Sequence, residues 1–202
     1  MAQYQPQAFR MLPTGVKHLL LINLLVFLST LSLERYGFYN ITNAMALWSL
    51  QSGHFSIWQP FTYMFMHASL DHIFFNMFAL WMFGCILENY WGTRRFLVYY
   101  LVCGIGAALI NLLVAPAGPT VGASGAVYGI LLAFGMTFPN EYIYLYFLFP
   151  IKAKWFVIGY AAIELFEGVF RSADGIAHFA HLGGMLFGLL LILWWRRHPF
   201  RM

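Results

Sequence analysis

Charge is what this sequence has least of. Only 9% of its 202 residues are Asp, Glu, Lys or Arg, against roughly 25% in an ordinary soluble domain. That shortage excludes a fold that meets water over most of its surface. Cysteine is almost missing too: Cys85 and Cys103 both fall in apolar stretches, without pairing or metal-ligand spacing. They read as small buried hydrophobes, which excludes a disulfide framework and a thiolate metal site. No small-residue cleavage site follows an apolar region near the N-terminus, so the first span is expected to be a retained helix and not a signal peptide. Internal repeats, linkers and a second domain are absent as well. Residues 1–202 are expected to form one domain, behind a short cytoplasmic segment of about 1–15.

What is present is apolar. Hydrophobic residues make up 61% of the chain and aromatics 20%, with a mean hydropathy of +0.70. The length suits about six helices of roughly 20 residues each, joined by short connections. The expected fold class is therefore all-α, a polytopic membrane protein with a six-transmembrane-helix bundle. The expected spans are 16–33, 70–88, 96–114, 124–138, 155–170 and 176–195. Segment 34–69 is too polar and broken to span, yet rich in Trp, Phe and Met, and reads as an amphipathic first loop in the interface.

The eleven basic residues, which set the net charge of +4, flank these spans instead of forming a nucleic-acid patch. Arg10 and Lys17, Arg94 and Arg95, Lys152 and Lys154, and Arg196, Arg197 and Arg201 mark four segments. Those segments alternate as six spans require, and the positive-inside rule makes them cytoplasmic, with both termini. The outer segments carry Arg35 and Arg171 near acidic residues. A bacterial inner membrane is the expected location, and no nucleic-acid partner is expected.

Orientation brings polar residues together, and polar groups inside a membrane are functional candidates by default. His72 and Asn76 lie in the first turns of the second span, Ser124 opens the fourth, and His178 and His181 begin the sixth. All enter from the outer face at similar depth. The fourth span would rise only about 22 Å against a hydrocarbon core of about 30 Å. Its N-terminus is then submerged, and the preceding APAGPTVG must be non-helical backbone around a hydrated cavity. Ser124 there sits beside unpaired backbone N–H groups.

Gly125 and Gly129, and Gly184 and Gly188, form two small-residue faces that let helices approach closely. If they meet, His181 can reach Ser124, the minimum for an activated hydroxyl nucleophile. Tyr128, one turn below, can pack on the imidazole, and His72 with Asn76 can donate to an oxyanion. Each residue also has a structural reading. Glycine–serine strings are common in helix packing, terminal histidines are often interfacial, and Asn76 can bond a neighbouring helix. His67 can satisfy backbone groups, Asp71 can cap the second span, and Glu88 can pair with Arg94 or Arg95.

At this point the sequence resembles the rhomboid family of intramembrane serine proteases, across about 58–195. The marks are HIFFN (His72 to Asn76), GASGAVYG (Gly122 to Gly129) and AHLGGMLFG (Ala180 to Gly188). The resemblance implies a serine–histidine dyad without a third carboxylate, cleaving membrane-spanning proteins. It carries the nucleophile onto Ser124 and the general base onto His181, with oxyanion roles for His72, Asn76 and the Ser124 N–H. Tyr128 matches the residue packed on the imidazole, and Gly122, Gly125, Gly184 and Gly188 match supporting positions. Between the two histidines, glycines three and seven residues on select His181; His178 has His181 and Met185 there. His178 is expected to meet water or the first loop. Many members have Trp-Arg where this chain has Trp58-Gln59, which puts the anchoring of the first loop in question. No cofactor is expected, and the partners implied are the lipid bilayer and transmembrane substrates. Two rivals stand beside this reading: a non-catalytic relative that binds membrane proteins, and a metal site built from His72, His178 and His181.

Overall fold

A computed structural model describes residues 9–37, 41–114, 118–145, 148–170 and 177–198. Arg171, Arg201, the expected start of the last span at Ile176, and residues 115–117 of the submerged connection lie outside the described residues. The fold is mostly helical: α1 (Thr14–Arg35), the short α2 (Ile41–Met45) and α3 (Gln59–Thr62), α4 (Leu70–Trp91), α5 (Thr93–Val114), α6 (Ser124–Thr137), α7 (Ala153–Phe170) and α8 (His178–Arg197). The long helices match the expected spans to within three residues at each described end. A small antiparallel hairpin, β1 (Tyr142–Leu145) with β2 (Phe149–Lys152), joins α6 to α7; the sequence reading did not anticipate it.

Among the described residues, four helices combine the length and apolarity needed to cross a bilayer: α1, α4, α5 and α8. α6 is apolar but has only 14 residues, and α7 carries Lys154, Glu164 and Glu167. Leu25 on α1, Phe75 on α4 and Phe166 on α7 stand exposed, along with many other large apolar side chains. That surface belongs against lipid, not water.

α6 lies at the centre. Nine of its residues are buried, from Gly125 through Gly135, as expected for a helix apolar on every face. The two small-residue faces do meet. A Cβ on Gly184 would stand 1.9 Å from the Gly125 carbonyl oxygen, so the α6 and α8 backbones touch. Gly188 faces Tyr99 of α5 instead, whose hydroxyl donates to the Gly129 carbonyl at 2.8 Å.

Two local expectations are corrected. Glu88, only 2% exposed, does not pair with Arg94 or Arg95. Its carboxylate accepts from the Gly15 and Val16 N–H groups, each at 2.7 Å, and from the Thr93 hydroxyl at 2.6 Å. A helix start leaves such N–H groups unsatisfied and favours a negative charge, which is why α1 docks on the C-terminal end of α4. Arg95 lies over the Trp195 ring instead, at 4.3 Å. The cap of α4 is Ser69, whose hydroxyl accepts from the His72 N–H, and Asp71 sits within the first turn.

The first loop is held inside the protein as well as at its edge. Tyr63, Met64 and Met66 are buried, and the Tyr63 hydroxyl donates to the Gly104 carbonyl at 2.7 Å. Burial pushes that phenol far above its ordinary pKa. Gln59 supplies the anchoring that the missing arginine put in question. Its amide donates to the His54 carbonyl at 2.9 Å and accepts from the Trp48 N–H at 3.2 Å. The neighbouring Trp58 indole donates to the Ala44 carbonyl at 3.0 Å.

Candidate active site

Ser124 is the first residue of α6 and His181 lies in the first turn of α8. The backbone contact at Gly125 and Gly184 brings them level, and the Ser124 hydroxyl stands 2.8 Å from His181 Nε2. Tyr128, one turn along α6, stacks its ring on the imidazole with centroids 4.3 Å apart and planes 5° from parallel. A stacked, half-buried ring leaves His181 little freedom to turn away.

The other edge of the imidazole meets a group that the sequence reading missed. Glu164 of α7 is 5% exposed, and its Oε2 lies 2.9 Å from His181 Nδ1 and 2.8 Å from His178 Nδ1. Its Oε1 accepts from the Tyr128 hydroxyl. The expectation of a serine–histidine pair without a carboxylate is therefore corrected: a carboxylate touches the histidine. His178 is corrected too, being 2% exposed and turned toward α7, not toward water or the first loop. The signal was available, since an acidic residue inside an apolar helix needs internal partners. It was passed over because Glu164 sits mid-helix, far from the three motifs.

An ionised carboxylate can only accept hydrogen bonds. With Glu164 on Nδ1, the His181 proton belongs there, and the Nε2 lone pair faces Ser124. The hydroxyl then donates to Nε2, the geometry required for its proton to be taken.

Opposite this pair lies a second histidine with the reverse assignment. His72 Nδ1 accepts from the Ala68 N–H at 3.4 Å, so Nε2 carries the proton and can donate. Gly122, at φ 129°, leaves open the space its side chain would fill. A Cβ there would lie 2.7 Å from His72 Nε2 and 3.6 Å from the Ser124 hydroxyl oxygen. The vacant volume thus has a donor on one side and a nucleophile on the other. Asn76 borders the same cavity; its amide donates to the His72 carbonyl at 2.9 Å and retains a second N–H. The cavity measures about 460 Å³ and has walls from α4, α6 and α7, including Phe75, Met82, Phe156 and Tyr160.

His67 stands edge-on to His72, with centroids 5.0 Å apart. Burial first, and then His72, lower its pKa to about 4, so it is a neutral neighbour. As for metals, the donor atoms of Glu164, His178 and His181 lie within 4.8 Å of one another, a spacing that could hold an ion. His72 is not part of it, so the group is two histidines and a carboxylate and not the three histidines of the rival metal reading. Those same atoms are already joined by hydrogen bonds.

Comparison with known proteins bears on this arrangement directly. A family model described as the rhomboid domain matches residues 54–198, covering the latter part of the first loop, the cavity and α8. The chain belongs to the rhomboid family. Rhomboid relatives include RHOMBOID-like protein 1 of Arabidopsis thaliana, 34% identical over 81% of this chain and 39% of that protein. Rhomboid protease GlpG of Photorhabdus laumondii is 30% identical over 91% of this chain and 62% of its own length. Rhomboid protein 1, mitochondrial, of Saccharomyces cerevisiae is 34% identical over 62% of this chain and 38% of that protein. The chain thus spans between about two fifths and three fifths of these relatives. With its apolar helices, the rhomboid assignment makes this an integral membrane protein.

Proposed function

We propose that this rhomboid protein is an intramembrane serine endopeptidase that hydrolyses peptide bonds in or near transmembrane segments. The observation that carries the reading is the 2.8 Å contact between Ser124 and His181 Nε2, facing a cavity with oriented donors. Ser124 Oγ attacks the carbonyl carbon as its proton passes to His181 Nε2. The carbonyl oxygen becomes an oxyanion in the space beside Gly122, met by His72 Nε2–H, the free N–H of Asn76 and the Ser124 backbone N–H. Collapse breaks the C–N bond, and His181 returns the proton to the leaving amine. Water then attacks the acyl-enzyme by the same route. A helix hides its carbonyls in hydrogen bonds, so the substrate must unwind where it enters the cavity between α4 and α7. One relative carries the name protease; others are named only as rhomboid-like, which keeps a non-catalytic binding protein as the alternative.

In this reading α1, α4, α5, α6, α7 and α8 are the six spans of a single domain, with both termini on the cytoplasmic side. The short α6 is accommodated by the cavity above Ser124, and the buried Glu164 of α7 by His178 and His181. A bacterial inner membrane fits the charge pattern, whereas the relatives include a mitochondrial protein; membrane fractionation of the native source decides. The deciding assay is purified protein in proteoliposomes with a reporter transmembrane substrate, wild type beside Ser124→Ala. Cleavage by wild type alone supports the proposal. Equal cleavage by both ends the serine mechanism, and cleavage by neither favours the binding protein.

A further inference from the structure

The carboxylate on α7 has no part in the bond-making just described, yet it touches the proton acceptor His181 and the neighbouring Tyr128 and His178. We propose that Glu164 is a positioning residue for His181, making the site a Ser124–His181–Glu164 relay of orientation, with His178 and Tyr128 holding the carboxylate in place. This deepens the protease reading and rests on it.

The geometry is specific. Ser124, His181 and Glu164 form a continuous line of contacts at 2.8 Å and 2.9 Å through the two ring nitrogens. They come from α6, α8 and α7, three separate helices. A carboxylate beside Nδ1 does two things: it fixes the tautomer that exposes Nε2 to Ser124, and it faces the positive imidazolium formed when the proton transfers. The second effect is large where water is excluded, since charge interactions grow as the local dielectric falls.

Glu164 is itself fully employed. Oε2 receives His178 and His181, and Oε1 receives Tyr128. A buried carboxylate held by three donors, two of them histidines, meets the cost of leaving water through those contacts. Among the described residues, the ionisable groups facing the triad are His178 on α8, Tyr128 on α6, Tyr160 and Glu167 on α7, and His72 on α4. Glu167 is farther, 3.8 Å from His178, and about a third exposed.

The alternative is that Glu164 only braces α7 against α6 and α8. A brace alters stability; a positioning residue alters turnover. In proteoliposomes with the reporter substrate, Glu164→Gln keeps the shape and removes the charge, whereas Glu164→Asp keeps the charge with a shorter reach. The expected result for Glu164→Gln is a kcat lower by roughly 10²- to 10⁴-fold, with KM within about threefold and an unchanged folded fraction by circular dichroism. Glu164→Asp should recover part of that loss, and Glu167→Gln should match wild type. A kcat for Glu164→Gln near wild type, or a loss that follows folded fraction alone, overturns the proposal.

A second measurement needs no substrate. In ¹⁵N-histidine-labelled wild type, the ring signals that vanish in His181→Gln report the tautomer of His181. Protonation at Nδ1 supports the contact with Glu164, and protonation at Nε2 overturns it. If Nδ1 is protonated but wild type cleaves nothing, the protease reading fails and the orientation of His181 by Glu164 stands.

Discussion

Substituting Gly184 by alanine tests whether the helix contact sets the catalytic distance. The added Cβ would stand 1.9 Å from the Gly125 carbonyl oxygen and 2.7 Å from its carbon, both rigid backbone atoms. Ordinary van der Waals contact begins near 3.4 Å, so α8 must move from α6 by about 1.5 Å or tilt by an equivalent amount. Gly125 adjoins Ser124, and His181 lies one turn before Gly184. The same displacement would stretch the 2.8 Å Ser124–His181 contact beyond about 4 Å, where no hydrogen bond remains. Misplacement on this scale costs on the order of 10²-fold in rate, and overpacking costs about 1–3 kcal/mol of stability. The assay is kcat on the reporter substrate together with thermal unfolding in detergent. Gly188→Ala is the comparison, because its Cβ meets the Tyr99 hydroxyl at 2.3 Å, a side-chain end farther from the pair. It should lose stability with a smaller effect on turnover. Wild-type rate and stability in Gly184→Ala would refute the reasoning.

Four further outcomes are expected. His181→Ala should be as inactive as Ser124→Ala and the double variant no worse, because the pair acts as a unit; His178→Ala should keep measurable cleavage, since Tyr128 still holds Glu164, and an inactive His178→Ala beside an active His181→Ala would reverse their roles. Asn76→Ala should lower kcat by roughly 10- to 1000-fold, the range for one oxyanion donor, with little change in KM. Glu88→Ala should destabilise the protein by about 1–3 kcal/mol by leaving the Gly15 and Val16 N–H groups unpaired, read as a lower unfolding temperature with kcat/KM of the folded fraction preserved. Single cysteines placed at Gly118 and Lys154, with Cys85 and Cys103 replaced, should be labelled from outside only at 118; labelling at 154 in intact cells would overturn the topology.

Much of this molecule was legible before any coordinates. Hydropathy and the spacing of Lys and Arg report position along one axis, the membrane normal. That is why Ser124, His72, Asn76 and His181 could be expected at one depth from sequence, while the choice of His181 over His178 rested on the rhomboid resemblance and its glycine spacing. What those signals lack is rotation about each helix axis. In water the polar face of a helix reveals its buried face; here lipid and interior are both apolar, so α7 exposes Ile158 and Phe166 while burying Val157, and periodicity is silent. Rotation is decided by close packing, such as Gly184 against Gly125. Glu164 was therefore visible as an acid in an apolar span, but its contact with His181 was not. Glu88 likewise could be seen near Arg94 and Arg95, whereas its true partners, Gly15 and Val16, lie 73 and 72 residues away. Sequence determined the apolar surroundings and the extents of the long apolar helices. Tertiary packing alone determined which side chains at that depth touch, because contact depends on the facing of helices that lipid leaves unmarked.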